Sequence, residues 1–303
     1  MIDRPTRLRR SQLAVPGISE RMMAKAAASD ADHVFLDLED AVAPSMKVEA
    51  RGKIVEALNT LDWGTKTRCV RINDLTTQYC YEDIIEIVMG AGDNLDTIML
   101  PKAMGASDVL FVDTLLRQIQ ESKGFKKRIG LEVLIEEVEA LQNVEEIASS
   151  CDRLEAVIFG MGDYAASHGI DARTVGGGGS YPGDIWHYAR FRMVMAARAA
   201  GIDAVDGPYA NFKDEDGYKE ECRRAMSLGC VGKWAIHPAQ IQPALDTFSP
   251  KQHEVDQARM LEEAYIKAEA EGLGSVNVGG IMVDAASIRI VRNIIRKADL
   301  IGI

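Results

Sequence analysis

Eight short runs of apolar and β-branched residues recur between residues 11 and 237, and they constrain the fold more than any other feature of the sequence. The runs are "SQLAVP" (11–16), "HVFLDL" (33–38), "RCVRIN" (68–73), "DTIMLP" (96–101), "IGLEVLIE" (129–136), "EAVIFG" (155–160), "IDAVDG" (202–207) and "GKWAIH" (232–237). The stretches between them carry apolar residues at helical spacing. Nearly continuous apolar strands that alternate with helices indicate a parallel sheet covered on both faces. The sequence therefore predicts an α/β fold with a (β/α)8 TIM barrel over residues 1–245, and an open doubly wound sheet is the alternative.

The pattern changes after residue 245. A long helical stretch, "SPKQHEVDQARMLEEAYIKAEAEG" (249–272), is followed by a Gly-marked turn or hairpin and by a final amphipathic stretch. This tail does not supply a ninth strand–helix unit. Residues 246–303 are therefore predicted to form a C-terminal helical lid or intersubunit arm outside the barrel.

Charge and cysteine content exclude several functional classes. The formal net charge of -11 argues against a nucleic-acid surface, which needs a basic stripe. The five Cys residues are dispersed and form no CxxC pair, which is typical of reduced thiols and not of a disulfide frame or a zinc site. No window is long and apolar enough for a membrane span, and the basic N-terminus lacks the apolar core of a signal peptide. We expect a cytoplasmic protein that contacts neither nucleic acid nor membrane.

Polar side chains follow most of the predicted strands at the point where each strand ends. In a barrel, the carboxyl ends of the strands form one rim, and the loops after them build the active site. The residues at these ends are Glu39, Asp40, Arg71, Asn73, Lys102, Glu136, Glu137, Asp163, Asp206 and His237. The sequence therefore predicts several carboxylates, one Arg and one His at a single mouth.

Glu136 and Asp163 follow neighbouring predicted strands, so both are expected at the same level of the rim. Two carboxylates, completed by water and substrate oxygens, suit Mg²⁺, which rarely takes an all-protein cage. The alternative is that Glu136 or Glu137 caps the next helix, where an acid complements the helix dipole.

Arg71 lies within the apolar run "VRIN", and burying a guanidinium without a partner is costly. It is therefore expected to face the mouth. There it pairs either with an anionic ligand or, structurally, with Glu39 or Asp40. The acids that end the run "HVFLDLED" are in turn expected to orient Arg71.

Three other features are interpreted here from their local sequence alone. Asp284, in "MVDAAS", is by itself an N-cap for the last helix. His237, in "AIHP", is by itself a rim histidine. The run "VGGGG" (175–179) lacks the Lys-Ser/Thr of a phosphate-binding loop and indicates either a mobile loop over the mouth or a plain linker.

The chain also contains, in order, the motifs "RSQLAVPG", "FLDLEDAVAP", "VRIN", "LEVLIEE", "FGMGDYAAS", "DGPYANFKDEDGY", "GKWAIHPAQI" and "VDAASI". Together they resemble the malyl-CoA lyase branch of the citrate-lyase β-subunit-like (HpcH/HpaI aldolase) superfamily over almost the whole chain. The resemblance implies a cytoplasmic lyase dependent on Mg²⁺, with Mn²⁺ as a substitute. Its reaction would be reversible cleavage of L-malyl-CoA to glyoxylate and acetyl-CoA, or of β-methylmalyl-CoA to glyoxylate and propionyl-CoA. A (3S)-malyl-CoA thioesterase and a citramalyl-CoA lyase that releases pyruvate and acetyl-CoA are the alternatives.

The resemblance also implies roles for individual residues. Glu136 and Asp163 match the metal ligands, Arg71 the substrate-binding arginine, and Glu39 and Asp40 the acidic pair behind the metal. In this family, an aspartate of the tail acts as a base in a neighbouring subunit of a homotrimer or homohexamer. The matching residue in this chain is Asp284, in the last motif. The matches to positions that contact CoA or the acyl group are Ala14, Ser19, Lys25, Arg71, Gly162, Asp163, Ile236 and His237.

Two departures from the family pattern bear on the substrate. Ser19 stands where some relatives carry an Arg, and Arg21 is the candidate substitute. The stretch 170–191 is shorter than in the malyl-CoA lyases, and it borders the acyl pocket. The preferred acyl-CoA is therefore less constrained by the sequence than the reaction class.

Overall fold

Eight parallel strands close into a barrel in the computed structural model of this chain, which describes residues 4–170 and 183–303. The strands are β1 (Ser11–Pro16), β2 (His33–Asp37), β3 (Thr67–Arg71), β4 (Thr97–Leu100), β5 (Gly130–Ile135), β6 (Leu154–Phe159), β7 (Asp203–Asp206) and β8 (Gly232–Ala235). Each strand pairs with the next one along the chain, and β8 pairs with β1, so the sheet has no free edge. The predicted (β/α)8 barrel is confirmed, and the open doubly wound sheet is wrong.

Helices follow the strands. They are α1 (Glu20–Ala27), α2 (Lys47–Thr60), α3 (Cys80–Ala91), α4 (Ala106–Lys123), α5 (Val138–Gln142), α6 (Val144–Ala148), α7 (Met161–Ser167), α8 (His187–Ala200), α9 (Glu215–Leu228) and α10 (Ile241–Phe248). The sequence predicts Gly201 as the stop of α8, and its left-handed φ of 69° confirms this, since glycine adopts that conformation without strain. Within the described residues, no helix has the length and apolar character needed to cross a membrane.

Side chains that alternate along the strands fill the barrel in layers. Successive residues of a strand point to opposite faces, so every second residue points to the barrel axis. The middle layer is apolar and consists of Phe35, Cys69, Met99, Leu134, Ile158, Val205 and Trp234. Two residues before this layer lie His33 and Glu132, and two residues after it lie Asp37, Arg71 and Glu136. The spacing that fills the core thus also delivers charged groups to the mouth.

The layer below the apolar one is a polar network at the amino ends of the strands. His33 Nε2 lies 2.9 Å from Glu132 Oε1, and the amide of Gln12 donates to Glu132 Oε2 at 3.1 Å. Burial opposes the charge on Glu132, but His33 and Arg9 outweigh it and lower the pKa of Glu132 to about 2. His33, Cys69 and Glu132 are close enough to share a metal ion. Because Glu132 is already satisfied by cationic and amide donors, we interpret this layer as structural.

The second compact unit of the chain comprises Asp246–Ile303. It contains α11 (Gln252–Ala270), the antiparallel strands β9 (Ser275–Val278) and β10 (Ile281–Asp284), and α12 (Ser287–Ile301). Gly279 and Gly280 form the hairpin turn with φ values of 57° and 90°, as a two-residue hairpin turn requires. The core of this unit consists of Ala258, Leu261, Tyr265, Val283, Ile288, Val291 and Ile295. Its role as a lid or intersubunit arm stays a prediction.

Candidate active site

Arg71 is held in one orientation at the carboxyl end of β3. Its register partner on β2 is Asp37, and the two side chains form a bidentate pair, with Nε to Oδ1 at 2.7 Å and Nη2 to Oδ2 at 2.6 Å. The guanidinium lies 5.9 Å and 5.7 Å from the ring centres of Phe35 and Trp234 in the apolar layer below. Burial opposes ionisation of Asp37, but the charge and hydrogen bonds of Arg71 outweigh it and lower the pKa of Asp37. A buried guanidinium fixed in this way is a preorganised anion site.

Glu39 and Asp40 both form ion pairs with Arg71, but the main contact of Arg71 is with Asp37, which was not predicted. Glu39 Oε2 lies 2.9 Å from Arg71 Nη1, and Asp40, whose side chain is 57% exposed, lies 3.6 Å from the same nitrogen. The hydrogen-bonded partner is Asp37, because it shares both the face and the register of Arg71. The sequence places Asp37 on the same inward face as the buried Phe35, because the two residues are two positions apart in one strand.

Glu136 follows β5 and is only 2% exposed. Its Oε1 accepts the main-chain N–H of Lys102 at 2.8 Å, so the alternative in which Glu136 caps the next helix is wrong. The helix N-cap position is instead occupied by Glu137. Burial, followed by the negative charge of Glu39, raises the pKa of Glu136 to about 8; Asp163 adds to this rise and Arg71 opposes it. Besides burial, the acids around Glu136 outnumber the two neighbouring cations, Arg71 and Lys102.

Two lysines, Lys47 and Lys102, organise the loops around these acids. Lys102 Nζ donates to Glu39 Oε1 at 2.7 Å. Lys47 is buried, and its ammonium donates to the carbonyl oxygens of Leu38 at 2.8 Å and Glu39 at 2.9 Å. Lys47 thereby fixes the loop that follows β2, and Lys102 links that loop to β4. A lysine a few residues after a strand end carries no local signal for such contacts.

The donor set fits a divalent cation. Glu136 Oε2 accepts no hydrogen bond from the described residues and would lie 2.6 Å from a Cβ at position 160, so Gly160 keeps the space beside this oxygen open. Asp163 lies in the first turn of α7, and its carboxylate makes no hydrogen bond or ion pair within residues 4–170 and 183–303. Two carboxylates with unused oxygens, in a cluster of excess negative charge, match the preference of Mg²⁺ for hard oxygen ligands.

The raised pKa of Glu136 makes cation binding dependent on pH. Because that pKa is about 8, the carboxyl is protonated at neutral pH and must lose its proton when a cation binds. We expect the affinity for Mn²⁺ to rise about tenfold per pH unit from pH 6 to 8 and to level off above. Calorimetric titrations at pH 6, 7, 8 and 9 measure this slope, and an affinity that stays constant from pH 6 to 8 contradicts it.

The predicted CoA contacts lie on the other side of the mouth. Ala14 is in β1; Ser19 is the N-cap of α1, where its hydroxyl accepts a backbone N–H; and Lys25 is exposed in the last turn of α1. Ile236 and His237 follow β8, the strand that pairs with β1. In an eight-stranded barrel, the β8–β1 side lies opposite the β4–β5 side, so these residues lie across the mouth from Glu136, which follows β5, and Asp163 lies one strand further round.

The main-chain N–H groups of Ile236 and His237 are already used. Both donate to Gln240 Oε1, at 2.8 and 3.3 Å, and the carbonyl oxygen of His237 accepts the N–H of Gln240 at 3.0 Å. The His237 ring stacks on Phe212 with ring centres 4.6 Å apart, and its Nδ1 accepts the N–H of Ala239. His237 is therefore a fixed rim group.

One predicted rim residue lies elsewhere. Asp206 follows the inward-pointing Val205 by one residue, so it points outward and forms a buried cluster with Arg190 on α8 and Lys233. Asn73 supports the loop after β2, because its side chain accepts a hydrogen bond from the ammonium of Lys47 and donates one to Asp83. Gly162 lies with Asp163 in the first turn of α7, and its contact with CoA or the acyl group stays a prediction. The run 175–179, like most of the stretch 170–191, is outside the described residues.

Asp284 lies in the second unit, at the start of α12. Its Oδ1 accepts the N–H of Ala286 at 3.1 Å and both the N–H and the hydroxyl of Ser287 at 2.8 Å. The N-cap residue of α12 is Ala286, so the prediction that Asp284 is the N-cap is wrong in position, although the Asp284 side chain does bond the N–H groups at the start of the helix. These hydrogen bonds, above all those from Ser287, lower the pKa of Asp284. Oδ2 accepts no hydrogen bond from the described part of the chain, so one carboxylate oxygen stays available for proton transfer.

Comparison with known proteins agrees with this architecture. Over 308 aligned positions, which cover 98% of this chain and 97% of the relative, the chain is 43% identical to "L-malyl-CoA/beta-methylmalyl-CoA lyase" from Cereibacter sphaeroides. The structure of CitE from Mycobacterium tuberculosis, in complex with magnesium, acetoacetate and coenzyme A, matches with a TM-score of 0.72 and 27% identity over 95% of this chain and 97% of that one. A citrate lyase from Burkholderia xenovorans LB400 has the same fold, with a TM-score of 0.85 and 22% identity over 96% of this chain and 92% of that one.

The match to the family itself covers the barrel from its first strand to its last. Residues 10–238 fit the family model described as HpcH/HpaI aldolase/citrate lyase. This range contains every residue of the mouth described above, from Ala14 to His237. On the barrel geometry, the extent of the family match and the identity to the Cereibacter enzyme, this chain belongs to the HpcH/HpaI aldolase/citrate lyase family.

Proposed function

We propose that this chain is a carbon–carbon lyase that requires a divalent cation and reversibly cleaves L-malyl-CoA to glyoxylate and acetyl-CoA. β-Methylmalyl-CoA, which gives glyoxylate and propionyl-CoA, is proposed as a second substrate. The observation that carries the proposal is the buried Glu136, with an unused oxygen and a raised pKa, in the same mouth as the preorganised Arg71. The relative that is 43% identical, whose name gives both acyl-CoA substrates, supports the choice of substrate.

The metal site would consist of Glu136 and Asp163. We propose Mg²⁺ as its occupant, with Mn²⁺ as a substitute, and the magnesium complex of CitE supports this choice. When bound, the cation would supply Lewis acidity and a template for the 2-oxo acid. Lys102 fixes one oxygen of Glu136 through its N–H, so the other oxygen is the one that would face the cation.

Arg71 would stabilise the charge that develops on the thioester oxygen. In the condensation direction, the α-carbon of acetyl-CoA loses a proton and the carbonyl oxygen becomes negative. A donor that is fixed before the reaction stabilises such an oxyanion without reorganisation, and the bidentate pair with Asp37 provides that rigidity. Glu39 and Asp40 would hold the remaining face of the guanidinium.

Asp284 would exchange the proton with that α-carbon. Its Oδ2 is not used by the capping hydrogen bonds, and removal from water on closure would raise its pKa toward that of a useful base. We propose that it acts in the mouth of a neighbouring subunit of a homotrimer or homohexamer. The CoA moiety would lie along the β8–β1 side, near Ala14, Ser19, Lys25, Ile236 and His237.

A product assay tests the proposal. Malyl-CoA, β-methylmalyl-CoA and citramalyl-CoA are each incubated with and without Mg²⁺, and glyoxylate, pyruvate and free CoA thiol are measured separately. Glyoxylate and acyl-CoA without free thiol support the proposed lyase. Free thiol with intact malate indicates the thioesterase, and pyruvate indicates the citramalyl-CoA lyase. Equal activity without any divalent cation contradicts the metal site.

A further inference from the structure

Lys102 combines three properties that a surface loop residue does not need. It is the one non-glycine residue in the described part of the chain with a positive φ, 49°. A left-handed conformation is strained for a residue with a side chain, and such strain persists where the surroundings enforce it. Lys102 also contacts two acids from different strands, through its N–H to Glu136 at 2.8 Å and its ammonium to Glu39 at 2.7 Å. A glycine would serve the N–H contact without strain, so the side chain itself has a role.

Glu39 is a third carboxylate beside the proposed metal ligands. Its proximity is evident because one residue, Lys102, bonds both Glu39 and Glu136, and because Glu39 is the strongest charge that raises the pKa of Glu136. Both Glu39 oxygens are occupied by cations, Oε1 by Lys102 and Oε2 by Arg71 at 2.9 Å. The contact of Oε2 with Arg71 does not have hydrogen-bond geometry, whereas that of Oε1 with Lys102 does. Lys102 is therefore the cation that holds this carboxylate by a hydrogen bond, in addition to the charge contact with Arg71.

A catalytic metal site needs open coordination positions for the substrate. A third carboxylate free to turn toward the ion would occupy one of them and bind it more tightly. We propose that Lys102 is a positioning residue that keeps Glu39 away from the divalent cation, so that Glu136 and Asp163 remain its only carboxylate ligands and the 2-oxo acid can bind. This inference rests on the proposed function, because it concerns the ion of that site.

The test measures cation affinity apart from catalysis. Mn²⁺ binding to the full-length protein is followed by electron paramagnetic resonance of free Mn²⁺ at pH 8.5, where Glu136 is ionised. Lys102→Met and Lys102→Gly both remove the ammonium, and the glycine variant keeps the N–H and relieves the strain of the backbone. We expect both variants to bind Mn²⁺ about 3–10-fold more tightly than the wild type, while the KM for glyoxylate in condensation rises and kcat falls. A residue with a merely structural role would weaken binding or leave it unchanged.

Two further variants distinguish the effect of the Lys102 charge from an effect of the substitution on the fold. Lys102→Arg keeps the cation and is expected to bind Mn²⁺ within about twofold of the wild type. Lys102→Met combined with Glu39→Gln removes both the ammonium and the carboxylate, so the affinity should return to near the wild-type value. Equal or weaker Mn²⁺ binding by Lys102→Gly, at an unchanged Tm, overturns the proposal.

Mn²⁺ binding and malyl-CoA cleavage by the wild-type protein distinguish a failure of this proposal from a failure of the proposed function. Wild-type protein that binds Mn²⁺ but does not cleave malyl-CoA refutes the function, while tighter binding by the variants still supports the role of Lys102. Wild-type protein that cleaves malyl-CoA, with variants that bind Mn²⁺ no more tightly, refutes only the role of Lys102. Wild-type protein without any Mn²⁺ binding refutes both.

Discussion

Glu136→Gln is expected to lower kcat by about a thousandfold or more, because a metal ligand contributes several kcal/mol of transition-state stabilisation. Glutamine has nearly the same shape as glutamate, and its side-chain oxygen can still accept the N–H of Lys102, so the loop after β4 should keep its position. What the variant loses is the charge that holds the cation. Calorimetry with Mg²⁺ up to millimolar concentration should show no saturable binding, and excess Mg²⁺ should restore little activity.

The same substitution should leave the cation-free protein at least as stable as the wild type at high pH. Burial raises the pKa of Glu136 to about 8, so the folded state holds a proton that the unfolded state releases near the ordinary value of 4.5. The stability that this group contributes is present below pH 4.5 and is lost as the pH rises through 8. Between pH 6 and 9 the Tm of the cation-free wild type should therefore fall more than that of Glu136→Gln.

The adjacent residue offers a matched control. Glu137 has the same side chain and occupies the N-cap of α5, but its side chain makes no capping hydrogen bond. Glu137→Gln should change kcat and Mg²⁺ affinity by less than about twofold, as surface substitutions away from a site usually do. Wild-type rates in Glu136→Gln, or full activity of the wild type after removal of divalent cations, would contradict the ligand assignment.

The positions of the strands could be predicted closely from the sequence because a closed parallel barrel buries both faces of each strand. Every run of apolar residues then stands out against its polar surroundings, and all eight predicted runs overlap a strand. The first run ends where β1 ends, and the other seven end one or two residues after their strands. Ile72, for example, is buried beyond the end of β3 and still donates its N–H to Met99.

The contacts within the mouth could not be predicted in the same way, because they depend on strand register and loop conformation. Asp37 pairs with Arg71 because of the register of β2 with β3, which one sequence does not give. Lys102 follows Pro101 without a Gly or Asn that would indicate a left-handed backbone. Asp206 looked like a rim acid and points outward, since a shift of one residue exchanges the two faces of a strand.

Asp284→Asn is expected to lower turnover by about 10²–10⁴-fold, the usual contribution of a positioned general base. The Asn side-chain oxygen can still accept the hydrogen bonds from Ala286 and Ser287, so the start of α12 should remain capped and the Tm should stay near that of the wild type. Mg²⁺ binding should also be unchanged, since the proposed ligands are in the barrel. Asp284→Ala removes the cap as well and should lose both turnover and Tm. Near-wild-type cleavage by Asp284→Asn would show that this residue is only a cap.

Mixed oligomers of the two inactive variants test whether Asp284 acts in a neighbouring subunit. Chains with Asp284→Asn keep the metal ligands, and chains with Glu136→Gln keep the base. Co-expression with two different affinity tags, followed by purification on both, yields oligomers that contain both chains. In a ring whose subunits each serve the next one, about one third of the sites in a mixed trimer, or about one quarter in a mixed hexamer, would combine an intact Glu136 with an intact Asp284. We therefore expect the mixed oligomer to recover about a quarter to a third of the wild-type activity. If Asp284 serves the barrel of its own chain, every site has one defect, and the mixture stays as inactive as its parents.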